Sequence, residues 1–267
     1  MKRLFLFVAV ALFFGFSSLQ AQTGITVGPP RNYFITEPGA TQTEKILVSN
    51  PSKNTTMSLV VSFKDWMYSD TGQNQIEDPG SLPNSLSNWI NVMPQTFFTL
   101  GPGEAKELEI TLTAPDKEDP SNPVHTSLLF ITQTNATDSF NEKGALIKVS
   151  VRTGVKLYHR FSTKPAEHNL EFTNFKFNKD SGQLVLSFTN TGNIWTDGTI
   201  KSEVISQTDG TIRELQDEII YTMPGDKRDL MMALPEDLKK GKYIVTSTFS
   251  HVDNDIIKMA ELTFTYE

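Results

Sequence analysis

The chain contains no cysteine among its 267 residues. This absence excludes a disulfide, a thiolate nucleophile, a thiolate metal site and a lipid anchor on a lipobox cysteine. Basic residues are also few and scattered, since 24 Lys and Arg stand against 31 Asp and Glu. Because a nucleic-acid binder needs a concentrated basic face, we expect no nucleic-acid partner.

Long hydrophobic runs are absent except at the start of the chain. Lys2 and Arg3 precede an apolar run at residues 4–16, and small and polar residues then lead to Ala21. This pattern predicts a secretory signal peptide at residues 1–21. The run is shorter than the ~20 residues that a membrane-spanning helix needs, and no later run is longer, so we expect no transmembrane segment. The exported chain would keep 22 basic residues against 31 acidic ones.

No part of the exported chain shows sustained apolar periodicity of 3.6 residues, so we predict an all-β protein. Turn-forming pairs such as Pro38-Gly39 and Pro102-Gly103 separate seven candidate strands in its first part. These strands are residues 24–35, 44–50, 57–67, 96–100, 105–113, 126–134 and 145–160. Their number and spacing suit an immunoglobulin-like sandwich.

The same pattern restarts after residues 163–165 and predicts a second sandwich. Its candidate strands are residues 170–177, 183–189, 194–204, 211–221, 229–233, 242–251 and 256–266. The chain is long enough for two cores of ordinary size. We therefore predict two tandem immunoglobulin-like β-sandwich domains, at residues 22–163 and 164–267.

Residues 68–87 interrupt the strand pattern, because this segment is polar and rich in Gly, Pro, Asn and Ser. Long loops in compact domains often carry a binding function, which is one interpretation of the segment. The other interpretation is a loosely packed surface insertion, which the composition favours.

Residues 145–160 alternate apolar and polar side chains and predict one long strand. Strands usually span about 3–10 residues, so this length suggests that the strand offers an edge to a partner. The alternative is that its apolar side chains face the core of their own domain. Periodicity alone does not distinguish the two.

The sequence lacks the motifs of common catalytic sites. The four histidines stand apart from one another, and none belongs to a metal-ligand pattern such as H-E-x-x-H. Asp253-Asn254-Asp255 lacks the Gly and the distal Glu of a calcium loop, and we interpret it as a hairpin turn. We expect no enzymatic activity, no metal and no cofactor.

Three blocks of sequence occur together in one order. They are residues 31–50 with Pro38-Gly39, residues 93–111 with L-G-P-G at 100–103, and residues 126–160, which end in V-K-L-Y-H-R. In these blocks the chain resembles the PapD-like periplasmic chaperones of pilus assembly. The resemblance implies the periplasm as location, a secreted β-rich pilus or surface subunit as partner, and an outer-membrane assembly protein as a further partner.

The resemblance also implies roles for individual residues. In that family an Arg and a Lys in the cleft between the domains bind the C-terminal carboxylate of a subunit, and a long strand completes the subunit's fold by donor-strand complementation. By position, Arg31 and Lys156 would be the carboxylate anchors, and Ile147, Val149 and Val151 the donor side chains. An exposed apolar strand favours association. We therefore expect a homodimer when no subunit is bound.

A second function class fits the same fold. The chain could be a secreted envelope or adhesion protein whose tandem immunoglobulin-like domains resemble those of the WxL-interacting surface proteins. Residues 68–87, or Trp66 and Trp89, would then make the contact. Strand donation requires Arg31 and Lys156 to face one cleft, whereas adhesion has no such requirement.

Overall fold

The structure is a computed structural model that describes residues 24–140, 143–251 and 256–267. The predicted signal peptide and the predicted turn at residues 253–255 lie outside the described residues. All regular secondary structure in the described part is β-strand, which confirms the predicted all-β class. Within those residues the structure contains no helix that is long and apolar enough to span a membrane.

Strands β1 to β12 belong to the first domain. They are β1 (Thr26–Gly28), β2 (Arg31–Thr36), β3 (Thr41–Ser49), β4 (Met57–Tyr68), β5 (Asn74–Glu77), β6 (Ile90–Met93), β7 (Phe97–Leu100), β8 (Ala105–Thr113), β9 (Val124–Gln133), β10 (Thr137–Phe140), β11 (Leu146–Val149) and β12 (Arg152–Phe161). One sheet has the order β1-β3-β8-β6, and the facing sheet has the order β2-β12-β9-β4, with β5 and β7 both paired to β4. Alternate side chains of the two sheets, including Phe34, Ile46, Leu108 and Leu129, fill a common core.

The predicted strand at residues 24–35 is two strands in different sheets. β1 pairs with β3, whereas β2 runs parallel to β12 from Lys156 onward. Pro29 and Pro30 separate them, because proline has no N–H to give to a strand ladder. Among the described strands, β9 alone pairs with the part of β12 that precedes Lys156.

The prediction of one continuous strand at residues 145–160 is wrong. β11 pairs with β10 as a separate two-stranded hairpin, and β12 begins only at Arg152. At the break, the Ser150 hydroxyl donates to the carbonyl of Gln133, and the Gln133 N–H donates to the carbonyl of Val151 at 2.9 Å. The ladder between β9 and β12 therefore ends at Gln133, and the β10–β11 hairpin continues as a sheet of its own.

The segment at residues 68–87 lies largely on the surface, as an insertion would, but it is held to the first domain by strand pairing and hydrogen bonds. Its first half pairs with β4 as strand β5. Its second half is fixed by the buried carboxylate of Asp65, which accepts hydrogen bonds from the Leu82 N–H at 3.0 Å, the Ser85 hydroxyl at 2.6 Å and the Ser87 hydroxyl at 2.8 Å. Strand β6, which follows this segment, was not predicted from the sequence.

The second domain is a smaller sandwich. Its strands are β13 (Leu170–Asn178), β14 (Gln183–Asn190), β15 (Thr196–Ser206), β16 (Ile212–Glu214), β17 (Glu218–Thr222), β18 (Lys227–Ala233), β19 (Gly241–His251) and β20 (Ile257–Tyr266). One sheet has the order β13-β14-β18, and the other has the order β16-β15-β19-β20, with β17 also paired to β15. The predicted strand at residues 211–221 is thus two short strands. A separate core with Phe188, Val245 and Phe249 lies between the sheets.

Aromatic side chains join the two domains. A third apolar cluster contains Trp66 and Tyr158 from the outer face of the β2-β12-β9-β4 sheet, with Trp195 of the second domain packed against it. The Trp195 ring lies 5.1 Å from the ring of Tyr33 and 5.3 Å from that of Tyr158, between centroids. Such ring pairs each contribute about 0.5–1.5 kcal/mol beyond the burial of their area. The two sandwiches therefore meet through a specific packed contact.

Candidate functional site

Arg31 and Lys156 lie side by side at the cleft between the domains. They are the first partners in the parallel pairing of β2 with β12. The Arg31 guanidinium carbon lies 4.2 Å from the centre of the Tyr221 ring of the second domain. The Lys156 ammonium lies 3.7 Å from the centre of the Trp66 ring, which belongs to the interdomain cluster. The structure thus brings together the two residues for which the sequence resemblance implied a role as carboxylate anchors.

The Lys156 ammonium has uncharged hydrogen-bond partners. It donates to the Tyr68 hydroxyl at 3.0 Å and to the Asn74 side-chain oxygen at 2.8 Å. None of the carboxylates in the described residues lies within 4.0 Å of Lys156 or of Arg31. Burial, together with the charges of Arg31 and Arg228, lowers the pKa of Lys156 to about 8. A negatively charged ligand would relieve this repulsion.

Arg228, from β18 of the second domain, is a third cation at this site and was not predicted from the sequence. Its side chain is only 9% exposed, and its guanidinium carbon lies 4.9 Å from the centre of the Tyr68 ring. It donates to the carbonyl of Tyr221 at 3.3 Å and lies 3.9 Å from the Asp226 carboxylate. No local motif marks this residue, because its position beside Tyr68 depends on how the domains meet.

The three predicted donor residues lie in different environments. Ile147, on β11, is 39% exposed, and Val149 at the end of the same strand is half-buried. Val151 follows the break and packs against the core of the first domain. The β10–β11 hairpin also exposes Phe140 and Leu146. The hairpin therefore presents an apolar surface, but Ile147 and Val149 do not share one continuous strand with Lys156.

The tryptophans of the adhesion hypothesis are not free for contact. Trp66 is buried in the interdomain cluster. Trp89 is half-buried against the first core, with its ring 4.5 Å from that of His125. Within the part of the chain that the structure describes, no group of three or more His, Asp or Glu side chains could hold a metal ion.

Comparison with solved structures finds several chaperones. The YadV chaperone is 12% identical, and the match covers 91% of this chain and 100% of that chain with a TM-score of 0.50. The Escherichia coli chaperone DraB is 16% identical over 92% of this chain and 98% of its own, with a TM-score of 0.48. The Salmonella enterica SafB chaperone, solved with the SafA pilin, is 15% identical over 91% and 97%, with a TM-score of 0.47.

The comparison with protein-family models gives no match, and neither does the comparison with curated protein sequences. The structural likeness to YadV spans both sandwiches and the junction between them. At this level of identity the likeness concerns the fold. The chain therefore has the two-domain fold of the PapD-like fimbrial chaperones, as its sequence blocks predicted.

Proposed function

We propose that the protein is a non-enzymatic periplasmic assembly chaperone, which binds secreted β-rich fimbrial or surface subunits and holds their C-terminal carboxylate at Arg31 and Lys156. The observation that carries this proposal is the pairing of two cations at one cleft, where none of the described carboxylates lies within 4.0 Å of either. A carboxylate accepts strong, charge-assisted hydrogen bonds from Arg and Lys. No cofactor has a part in this function.

The edge of β12 offers a route for the subunit's last strand. β2 lies along this edge from Lys156 onward and runs parallel to β12, while residues 152–155 pair only with β9 among the described strands. A subunit strand that runs in the direction of β2 and ends at Lys156 would occupy this part of the edge by displacing Ile25, whose carbonyl accepts from the Thr153 hydroxyl at 3.5 Å. Main-chain hydrogen bonds would then supply affinity, as in other cases of β-augmentation.

The β10–β11 hairpin supplies the apolar side chains of the proposed complex. Ile147 is exposed and Val149 half-exposed, so both can enter pockets of a subunit groove. Val151 already packs against the first core and is the least available of the three predicted donors. Donor-strand complementation by this hairpin requires the subunit to follow the bend at Ser150, or requires the bend to straighten on binding.

An affinity capture from the envelope of the native host tests the proposal. We expect the wild type to hold a small β-rich secreted protein at a ratio near one to one. Val149→Lys puts a charge among the donor side chains, and Lys156→Glu repels the carboxylate, so both variants should lose this protein. Lys201→Glu makes the same charge change on an exposed side chain of the second domain and should retain it.

Circular dichroism establishes that each variant is folded before capture. If folded Val149→Lys and Lys156→Glu keep every partner, the chaperone proposal fails and an envelope adhesion role replaces it. The same proposal includes an outer-membrane assembly protein as a second captured partner. It also includes a homodimer in the absence of subunit, which light scattering would detect as a doubled mass that Ile147→Lys reduces to that of the monomer.

A further inference from the structure

The tip of the β4–β5 hairpin connects the two domains. The Asp229 N–H of β18 donates to the carbonyl of Asp70 at 2.8 Å, which is a backbone bond between the domains. Gly72 has a φ of +88°, and a Cβ added there would lie 1.9 Å from Nη2 of Arg228. At the hairpin tip, a side chain in place of Gly72 would adopt an unfavourable positive φ and would push the Arg228 side chain aside. We call residues 68–74 the interdomain clasp.

The clasp also supplies both hydrogen-bond acceptors of the Lys156 ammonium. Tyr68 and Asn74 are partners in the pairing of β4 with β5, so their side chains lie on the same face of the hairpin. Together they accept two of the three N–H bonds that a lysine ammonium can donate. The same short segment therefore covers the proposed anchor and contacts the second domain.

The two acceptors differ in how easily they can leave. Tyr68 is buried, and its ring lies 4.9 Å from that of Trp66, between centroids. Asn74 is on β5, whose four residues are all exposed, so its side chain can turn to water. The ammonium's bond to the amide oxygen joins a charged donor to an uncharged acceptor, whereas a carboxylate adds the attraction of a full opposite charge to the hydrogen bond. A carboxylate can therefore replace Asn74 but not Tyr68.

We propose that Asn74 is a placeholder on Lys156, which occupies the ammonium in the free protein and is displaced by the C-terminal carboxylate of the subunit. This inference rests on the proposed function, since it assigns the carboxylate to Lys156. Displacement of Asn74 makes the site selective, because an amidated or otherwise uncharged chain end gains too little at Lys156 to replace an existing hydrogen bond. Asn74 is thus a specificity-determining residue.

The first test needs no ligand. Asn74→Asp places a permanent carboxylate where the subunit's carboxylate would lie, and the pKa of Lys156 is followed by NMR of ¹³C-labelled lysine. The other groups around Lys156 are the same in both proteins: Arg31 and Arg228 repel its charge, and the Tyr68 hydroxyl accepts a hydrogen bond from it. An opposite charge at this distance raises a lysine pKa by about one unit or more.

Gln75→Glu is the matched control, because Gln75 pairs with Met67 and its side chain lies on the opposite face of the hairpin. We expect this variant to leave the pKa of Lys156 unchanged. If Asn74→Asp also leaves it unchanged, Asn74 does not contact Lys156 and the placeholder proposal is overturned, whether or not any subunit binds.

The second test uses N-acetyl-alanyl-alanine as a probe with a free C-terminal carboxylate, and its C-terminal amide as the control. The Lys156 resonance reports binding. We expect Asn74→Ala to bind the acid about fivefold more tightly than the wild type, since no internal acceptor competes. We expect Asn74→Asp to bind neither compound.

If the wild type does not respond to the acid, the proposed carboxylate anchor fails. If wild type and Asn74→Ala bind the acid equally, the anchor stands and the placeholder fails.

Discussion

Mild acid should destabilise the first domain through two buried histidines. His125 and His159 are 3% and 0% exposed, and their rings lie 5.7 Å apart between centroids. Burial lowers the pKa of His125 to about 4. Burial lowers the pKa of His159 to about 3, with further contributions from His125 and Arg160. Both rings are therefore neutral in the folded protein across the ordinary working range of pH.

The pKa values determine both the sign and the size of the effect. In the unfolded chain both histidines take up a proton near pH 6.5, whereas in the folded chain they do so only near pH 4 and below. The unfolded state thus binds more protons, and the free energy of unfolding decreases as the pH falls below 6.5. At pH 5.5 the loss is about 1.4 kcal/mol for each histidine, or about 3 kcal/mol for the pair. A domain is typically stable by only about 5–15 kcal/mol.

Urea unfolding at pH 7.5 and pH 5.5 measures this loss. A Trp195→Phe background restricts the fluorescence signal to Trp66 and Trp89, which belong to the first domain. In this background the free energy of unfolding of the double variant His125→Gln/His159→Gln should fall by about 3 kcal/mol less than that of the parent chain between pH 7.5 and pH 5.5. A double variant that loses as much stability as its parent between the two pH values would refute the reasoning.

Three further substitutions test the packing. Asp65→Ala removes three hydrogen bonds that fix residues 78–87. Urea unfolding should show a free energy of unfolding lower by about 3 kcal/mol, and a loss below about 1 kcal/mol would contradict this role of Asp65. Gly72→Val drives a side chain into Arg228, so we expect a larger radius of gyration by small-angle X-ray scattering, and an unchanged radius would show that the clasp does not hold the domains. Gly198→Ala puts a Cβ 2.3 Å from a carbonyl oxygen of β19, and a thermal melt should show the second domain destabilised by about 2 kcal/mol. Gly24→Ala is the control, because a Cβ there meets nothing within 4 Å, and its thermal melt should match that of the parent chain.

Much of the fold is predictable because burial in a sandwich follows strand alternation. In β19, for example, Tyr243, Val245 and Phe249 point into the second core at every second or fourth residue, and the sequence shows this directly. The ends of strands follow from turn residues in the same way. Gly225 has a φ of +83°. The pair Pro224-Gly225 predicts such a turn, because proline presets its own φ and glycine accepts a positive φ without steric cost.

The failures have specific physical causes. The break within residues 145–160 is invisible in the alternation, because Val149 and Val151 keep their spacing across it and the break depends on distant Gln133. The division of residues 24–35 has a local signal in Pro29 and Pro30, which argue against one continuous ladder.

The candidate site was only partly predictable. Arg31 and Lys156 were found together through the resemblance of their sequence blocks, since 125 positions separate them and no spacing rule connects them. Asn74 and Arg228 complete the site from a hairpin and from the second domain. Their positions follow from tertiary packing, which local sequence patterns do not encode.

The aromatic character of the contact between the domains has a consequence for ionic strength. Salt screens charges that water reaches, with a Debye length of about 8 Å at 0.15 M, but it leaves the packing of Tyr33, Tyr158 and Trp195 intact. Rising salt should therefore weaken the attraction of Arg31 and Lys156 for an anion without changing the angle between the domains. Binding of an anion would therefore depend on ionic strength, whereas the arrangement of the two domains would not.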